Sequence, residues 1–180
     1  MTIIYPEEHL KILPYNRVVK DLSGISPENV LEGIAHFTEM TKMEEGESTV
    51  PLTGDPEFCL LMGRGSNQWY RCRIKPDFIE PNDPVKCLVT NSITDHFFGR
   101  VLGVENIRTD PRIGFVGGIR GVEELEKLVK EGKAELAISL APVRASQVFN
   151  VADAGLMMPP KCTWYEPKPR SGFIMRCFDD

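Results

Sequence analysis

Apolar positions along this chain follow two periods, and each period predicts its own kind of element. Thr2–Tyr5 and Leu10–Val19 are rich in strand-favouring residues but are broken by Pro6 and Pro14, which predicts short or edge strands. Ser26-Pro27 opens a helix, with serine as N-cap and proline at the first helical position. Val30, Ile34, Phe37 and Thr41 trace its inner face, with Leu31 beside them, and His36 falls nearly opposite, toward solvent. Glu44 to Glu57 reads as an acidic surface loop. Phe58–Met62 and Gln68–Ile74 then predict a hairpin around Gly63-Arg64-Gly65-Ser66-Asn67. With Gly63 paired to Gln68, Cys59 faces Cys72 across the two strands, as packed thiols or, less simply, as a bridge.

The second half carries the strongest stripe. Asp83-Pro84 caps a predicted helix in which Val85, Val89, Ile93, Phe97 and Val101 repeat every fourth residue, until Gly103 stops it. Asp95 and His96 resemble a catalytic pair on paper, but sequence neighbours do not face each other on a helix. From Arg112 the rhythm becomes β-α-β-α-β. Arg112–Val116, Ala134–Leu140 and Phe173–Phe178 are the strands, and Val122–Glu131 and Pro142–Ala154 the helices. Such alternation predicts parallel neighbours under helical cover. The fold class is therefore α/β or α+β, a mixed sheet with a hairpin in the first half and a β-α-β-α-β segment in the second. The 180 residues suit a single domain, divisible into lobes 1–80 and 81–180.

Charge and composition narrow the function classes. The 21 basic and 26 acidic residues leave a net charge of −5 without a long Lys/Arg block, which argues against nucleic acid as a partner. Met1 leads into Thr2-Ile3-Ile4-Tyr5 and then Glu7-Glu8, so no secretory signal is visible, and no apolar run approaches the roughly 20 residues of a membrane span. A cytoplasmic location with no membrane partner is expected. The five cysteines form no C-x-x-C pair and the three histidines are scattered, so no metal site is expected. Cys162 beside Lys161 has no histidine that the sequence places near it, which argues against a thiol nucleophile.

Two loops carry ligand chemistry. In Phe115-Val116-Gly117-Gly118-Ile119-Arg120-Gly121 a strand, a glycine-rich turn and a helix start would aim backbone N–H groups at one point, with Arg112 and Arg120 adding charge. Glu123 and Glu124 already complement that helix dipole and would repel a phosphate, and the loop matches no nucleotide fingerprint. A structural turn and an anion loop both remain open. The second loop, Pro159 to Arg170, is stiffened by four prolines. It offers Lys161, Lys168 and Arg170 as cations, Thr163 as a hydroxyl, and Trp164-Tyr165 as an aromatic pair. Either a carboxylate or phosphate beside an apolar group, or simple packing of Trp164, would suit this mixture.

The same loops carry a family resemblance. Leu13-Pro14-Tyr15-Asn16-Arg17-Val18-Val19-Lys20-Asp21-Leu22, Phe115-Val116-Gly117-Gly118-Ile119-Arg120-Gly121, and Val151 to Lys161 followed by Thr163-Trp164 and Glu166-Pro167-Lys168, resemble the carboxy-terminal half of the family called domain of unknown function 1015. The resemblance implies a cytosolic protein of about twice this length. It implies a preceding half with an Asp-Gly-His-His-Arg-Tyr motif, similar to one in nucleotide-using ParB- and sulfiredoxin-like proteins that include serine kinases. Here there is no His-His pair, so the catalytic residues and any cofactor are left unassigned. Two function classes follow. One is the substrate- or anion-binding half of an enzyme acting on a small phosphorylated or carboxylated metabolite, through Arg112, Gly117, Gly118, Arg120, Lys161, Thr163, Lys168 and Arg170. The other is a non-catalytic scaffold that pairs with a missing amino-terminal half or with itself as a homo-oligomer.

Overall fold

Ser26 begins the first helix as its chemistry requires. In the computed structural model, which describes residues 4–52, 54, 56–63, 67–168 and 172, helix α1 spans Pro27–Phe37 and the Asn29 N–H donates to Ser26 Oγ at 3.3 Å. Val30, Ile34 and Phe37 are buried as the periodicity predicts. The helix ends one turn before Thr41, because both the N–H and the hydroxyl of Thr38 donate to Ile34 O. The chain then passes directly into a strand.

Eight strands are described: β1 (Lys11–Leu13), β2 (Tyr15–Val19), β3 (Thr38–Lys42), β4 (Glu57–Met62), β5 (Gln68–Ile74), β6 (Ile113–Gly117), β7 (Leu136–Leu140) and β8 (Trp164–Glu166). Six form a sheet in the order β3-β5-β4-β7-β2-β6, while β1 and β8 pair separately. The architecture is α+β. The predicted hairpin is present as β4–β5, and the β-α-β order as β6, α3 (Glu123–Lys130) and β7.

The expectation of parallel neighbours needs correction. Every neighbouring pair in the six-stranded sheet is antiparallel. β6 and β7 do run parallel to each other, as a crossover helix demands, but β2 lies between them and is antiparallel to both. Local alternation fixes the direction of two strands, not whether a third from elsewhere in the chain separates them. For the same reason β2 is an interior strand, although Pro14 suggested an edge. The proline ends β1 and leaves β2 a full complement of partners on both sides.

The hairpin register also differs by one residue from the expected one. Met62 pairs with Gln68, so Cys59 sits opposite Arg71 and Cys72 opposite Phe58. A slip of one turns a side chain to the other face, and it removes any cross-strand Cys59–Cys72 pair. Both thiols are free, and burial pushes Cys59 up to about 11 and Cys72 higher still.

One face of the sheet, through Val19, Phe58, Leu60, Ile138 and Leu140, packs with α1 and the segment around Phe97. The other, through Val18, Leu61, Val116 and Ala137, packs against Leu125 and Val129 of α3. The strong helix predicted from Asp83 begins later and winds differently. Asp83 Oδ1 accepts the Val85 and Lys86 N–H groups at 2.9 Å, capping a turn. Helix α2 then spans only Val89–Ser92 and runs on as a π-helix over Ile93–Gly99. A strict four-residue repeat overshoots an α-helical turn by about 40° a step, and the wider π turn, with Leu102 N–H reaching Phe97 O, takes up the excess. Asp95 accepts from Asn91, while the His96 ring packs against Phe37 and Phe78, so these two neighbours form no pair. Helix α4 (Ala145–Asp153) is shorter than its sequence signal. Among the described residues no helix is long and apolar enough to cross a membrane. Ile4 and Tyr5 are not in a strand; Thr2, Ile3 and the predicted strand Phe173–Phe178 lie outside the described residues.

Candidate functional site

The start of β2, the end of β6 and the strand β8 meet at one corner of the fold. Pairing of Leu13 with Trp164 in the small sheet brings the Trp164 ring beside Tyr15, at 5.2 Å between centroids and edge-on. Tyr15 is in turn paired with Gly117. A Cβ on Gly117 would stand 2.5 Å from the Trp164 ring, so glycine is the residue that admits the indole. Gly118 donates its N–H to Pro14 O at 2.8 Å, and a Cβ there would lie 2.7 Å from that oxygen. The two glycines therefore serve close approach, and through them the two candidate loops, more than forty residues apart in sequence, touch.

Three cations lie on three aromatic faces at this corner. Lys168 Nζ is 4.4 Å from the Trp164 ring centre, Lys161 Nζ is 5.4 Å from that of Tyr15, and the Arg17 guanidinium carbon is 4.7 Å from that of Phe115. Lys161 holds a left-handed backbone, φ 55°, uncommon for a residue with a side chain and concentrated in proteins at functional sites. Glu166 accepts the indole N–H of Trp164. Thr163 is half-buried between Cys162 and Trp164, and Arg170 lies outside the described residues.

Arg17 is the residue that sequence reasoning missed. It is 2% exposed, and its one hydrogen bond among the described residues runs from Nη1 to Tyr15 O at 2.6 Å. Among the described residues no carboxylate pairs with it. Burial pushes its pKa down to about 10, partly offset by the nearby Cys162 and Tyr15 groups, so it stays cationic at neutral pH. A guanidinium carries five N–H donors, and one is engaged among the described residues. Burying a charge without an opposite charge costs several kcal/mol, which a desolvated cation–π contact of about 2 kcal/mol offsets in part. The signal in the sequence was strand alternation: Tyr15, Arg17 and Val19 share one face of β2, so an arginine stands in an otherwise apolar row. Cys162 is buried beside Leu88 and Val143, and burial pushes its thiol up while Arg17 pulls it back in part, which keeps it protonated and unreactive.

Other predicted residues stand apart. Arg112 precedes the far end of β6, about 17 Å along the strand from Gly117. Its guanidinium is held by Asp110 at 2.6 Å and donates to Ser23 Oγ and Leu102 O. Arg120 is exposed and paired with Glu124 at 3.6 Å. Glu123, Glu124 and Glu126 fill the first turn of α3, so its N-terminus is already opposed by its own carboxylates. Among the described residues no three His, Cys, Asp or Glu side chains cluster as metal ligands.

The model of the family described as "Protein of unknown function (DUF1015)" matches residues 1–94. The chain belongs to this family. The match falls on the amino-terminal part of the chain and includes β2 with Arg17. Solved structures share the fold. A free serine kinase variant in complex with AMP is 13% identical, covers 91% of this chain and 56% of its own, and has a TM-score of 0.52. A form in complex with ADP is 14% identical with the same coverage and a TM-score of 0.51. A conserved hypothetical protein from Pyrococcus furiosus is 14% identical over 91% of this chain and 59% of its own, with a TM-score of 0.50. This DUF1015 chain thus spans less than two thirds of the length of the structures it matches. No curated protein matches it.

Proposed function

We propose that this DUF1015 chain supplies the substrate-binding part of an enzyme acting on a small phosphorylated or carboxylated metabolite, and corresponds to the carboxy-terminal half of a longer family member. The observation that carries this reading is the meeting of the two loops, with Trp164 against Gly117 and cations arrayed on Trp164, Tyr15 and Phe115. Rigid aromatics beside a few polar groups are what a small-ligand site needs, and the stiff proline-rich strap loses little entropy on binding. The shared fold with a serine kinase that binds AMP and ADP supports phosphorylated compounds as the first to try. The proposed binding set is Gly117, Gly118, Lys161, Thr163 and Lys168; Arg112 and Arg120, which stand apart, and Arg170, outside the described residues, complete the proposal.

Thermal unfolding of the full chain against phosphoserine, serine, AMP, ADP and other phosphorylated metabolites tests it. A ligand at about 100 times its dissociation constant adds about 2.7 kcal/mol of stability. Lys161→Ala and Lys168→Ala should each weaken that response while the ligand-free transition stays put. Unchanged affinity in both variants would remove the assignment.

One observation favours a second reading, a non-catalytic interaction domain. Phe149, Leu156 and Met157, on α4 and the segment after it, are 64%, 47% and 86% exposed. Light scattering across a range of concentrations separates the two readings, since a strict monomer that binds a metabolite counts against the second.

A further inference from the structure

We infer that Arg17 is the buried anchor of this site and that the group it takes is a phosphoryl dianion. The inference rests on the reading of the corner as a ligand site and adds both the residue that reads the ligand and its charge class.

Arg17 lies on an interior strand, where β7 and β6 occupy both hydrogen-bonding edges. Its guanidinium lies over the Phe115 ring and bonds back to Tyr15 O, within electrostatic reach of Cys162, with most of its donors unengaged among the described residues. A planar fork of N–H groups without a carboxylate matches two oxygens of a phosphate. Cys162, within electrostatic reach of the guanidinium, follows Lys161 directly, and the ring that Lys161 covers is that of Tyr15, two residues before Arg17 on the same face. Lys168 reaches the same corner through Trp164, which touches Tyr15. Glu166, the carboxylate of β8, is already engaged by the Trp164 indole and stands in register with Lys11, a further cation. Among the described residues the cations named at this corner outnumber the carboxylate, which favours a phosphoryl dianion over a single carboxylate. Because Arg17 is nearly sealed, the strap from Lys161 to Lys168 must yield for the anion to reach it.

The test uses the full chain at constant ionic strength, with inorganic phosphate, phosphoserine and AMP as probes and acetate as the monoanion control, read by thermal shift and calorimetry. Phosphate should stabilise the wild type well beyond acetate. Arg17→Lys keeps the charge but loses the fork, and should weaken phosphate binding at least tenfold. Arg17→Met should abolish the phosphate response while its ligand-free transition equals or exceeds that of the wild type, because an uncompensated charge has been removed. Three results overturn the inference and leave the site standing: a phosphate response in Arg17→Met within twofold of wild type while Lys161→Ala loses it, an acetate response as large as the phosphate one, or loss of fold in both Arg17 variants. A wild type indifferent to every probe overturns both the inference and the proposed function.

Discussion

Two buried charges sit in the same sheet and are treated in opposite ways. Glu57, at the start of β4, is 2% exposed, and its two oxygens accept from Arg71 at 2.9 Å and Arg73 at 3.0 Å across the hairpin. Arg17, equally buried on β2, receives one carbonyl and an aromatic face. Where the protein needs a charge only for structure, it supplies the counter-charge from a neighbouring strand. At Arg17 it supplies none among the described residues. The difference separates a structural ion pair from a cation whose partner, on our reading, arrives from outside the chain.

The contrast predicts unequal responses to neutralisation. Glu57→Ala leaves two arginines facing each other over a buried gap and should cost about 3 kcal/mol in urea unfolding, the low end for breaking a buried pair because both arginines reach solvent. Arg17→Met should cost nothing. If Arg17→Met proves the more damaging of the two, the contrast fails. A smaller effect is expected at Gly117→Ala. The added methyl meets the Trp164 ring, and overpacking of that kind costs about 1–3 kcal/mol. It should displace the strap and weaken phosphate binding along with stability. Smaller still, Lys161→Ala and Lys168→Ala should leave ligand-free stability within about 0.5 kcal/mol, as surface substitutions do. Their effect belongs to binding alone, which guanidinium or urea unfolding with and without phosphate would resolve.

Much of the fold was legible because local chemistry dictates it. Ser26-Pro27 caps α1, the turn-rich segment at Gly63 makes the hairpin, and the apolar runs at Ile113 and Leu136 make strands. What could not be read is long-range. The insertion of β2 between β6 and β7 depends on pairing across roughly 120 residues, and no period in the sequence encodes it. That one insertion explains two misjudgements: the expected parallel neighbours, and the failure to select Arg17, whose burial follows from β2 being interior. The candidate site was legible in its loops, whose aromatics and lysines do gather, and illegible in its centre. Arg112 and Arg120 were attractive as cations near glycines, yet Asp110 and Glu124 already answer them. The hairpin register turned on where a five-residue loop closes, and a shift of one there decides which face Cys59 occupies.

His96 extends the comparison to a half-buried group that can shed its charge instead of needing a partner for it. On the π-helix, its Nδ1 is buried without a hydrogen-bond partner among the described residues, and its ring packs against Phe37 and Phe78. Burial lowers its pKa, and Arg100 adds to the effect, while Asp95 opposes it and His36 reinforces it weakly. The folded state therefore binds the His96 proton less readily than the unfolded chain, whose histidine titrates near 6.5. The contribution is present in full above that value and is lost as pH falls through the lower folded pKa. Stability should decline as pH falls below about 6.5, and His96→Gln should flatten that part of the profile while the carboxylate-driven loss at lower pH persists. A ring that is half-buried gives only a fraction of the effect expected at Glu57. If the profile of His96→Gln is parallel to wild type throughout, the ring is as well solvated when folded as when unfolded. Buried groups here would then need either a paired charge, as at Glu57, or a ligand, as at Arg17, with no third solution.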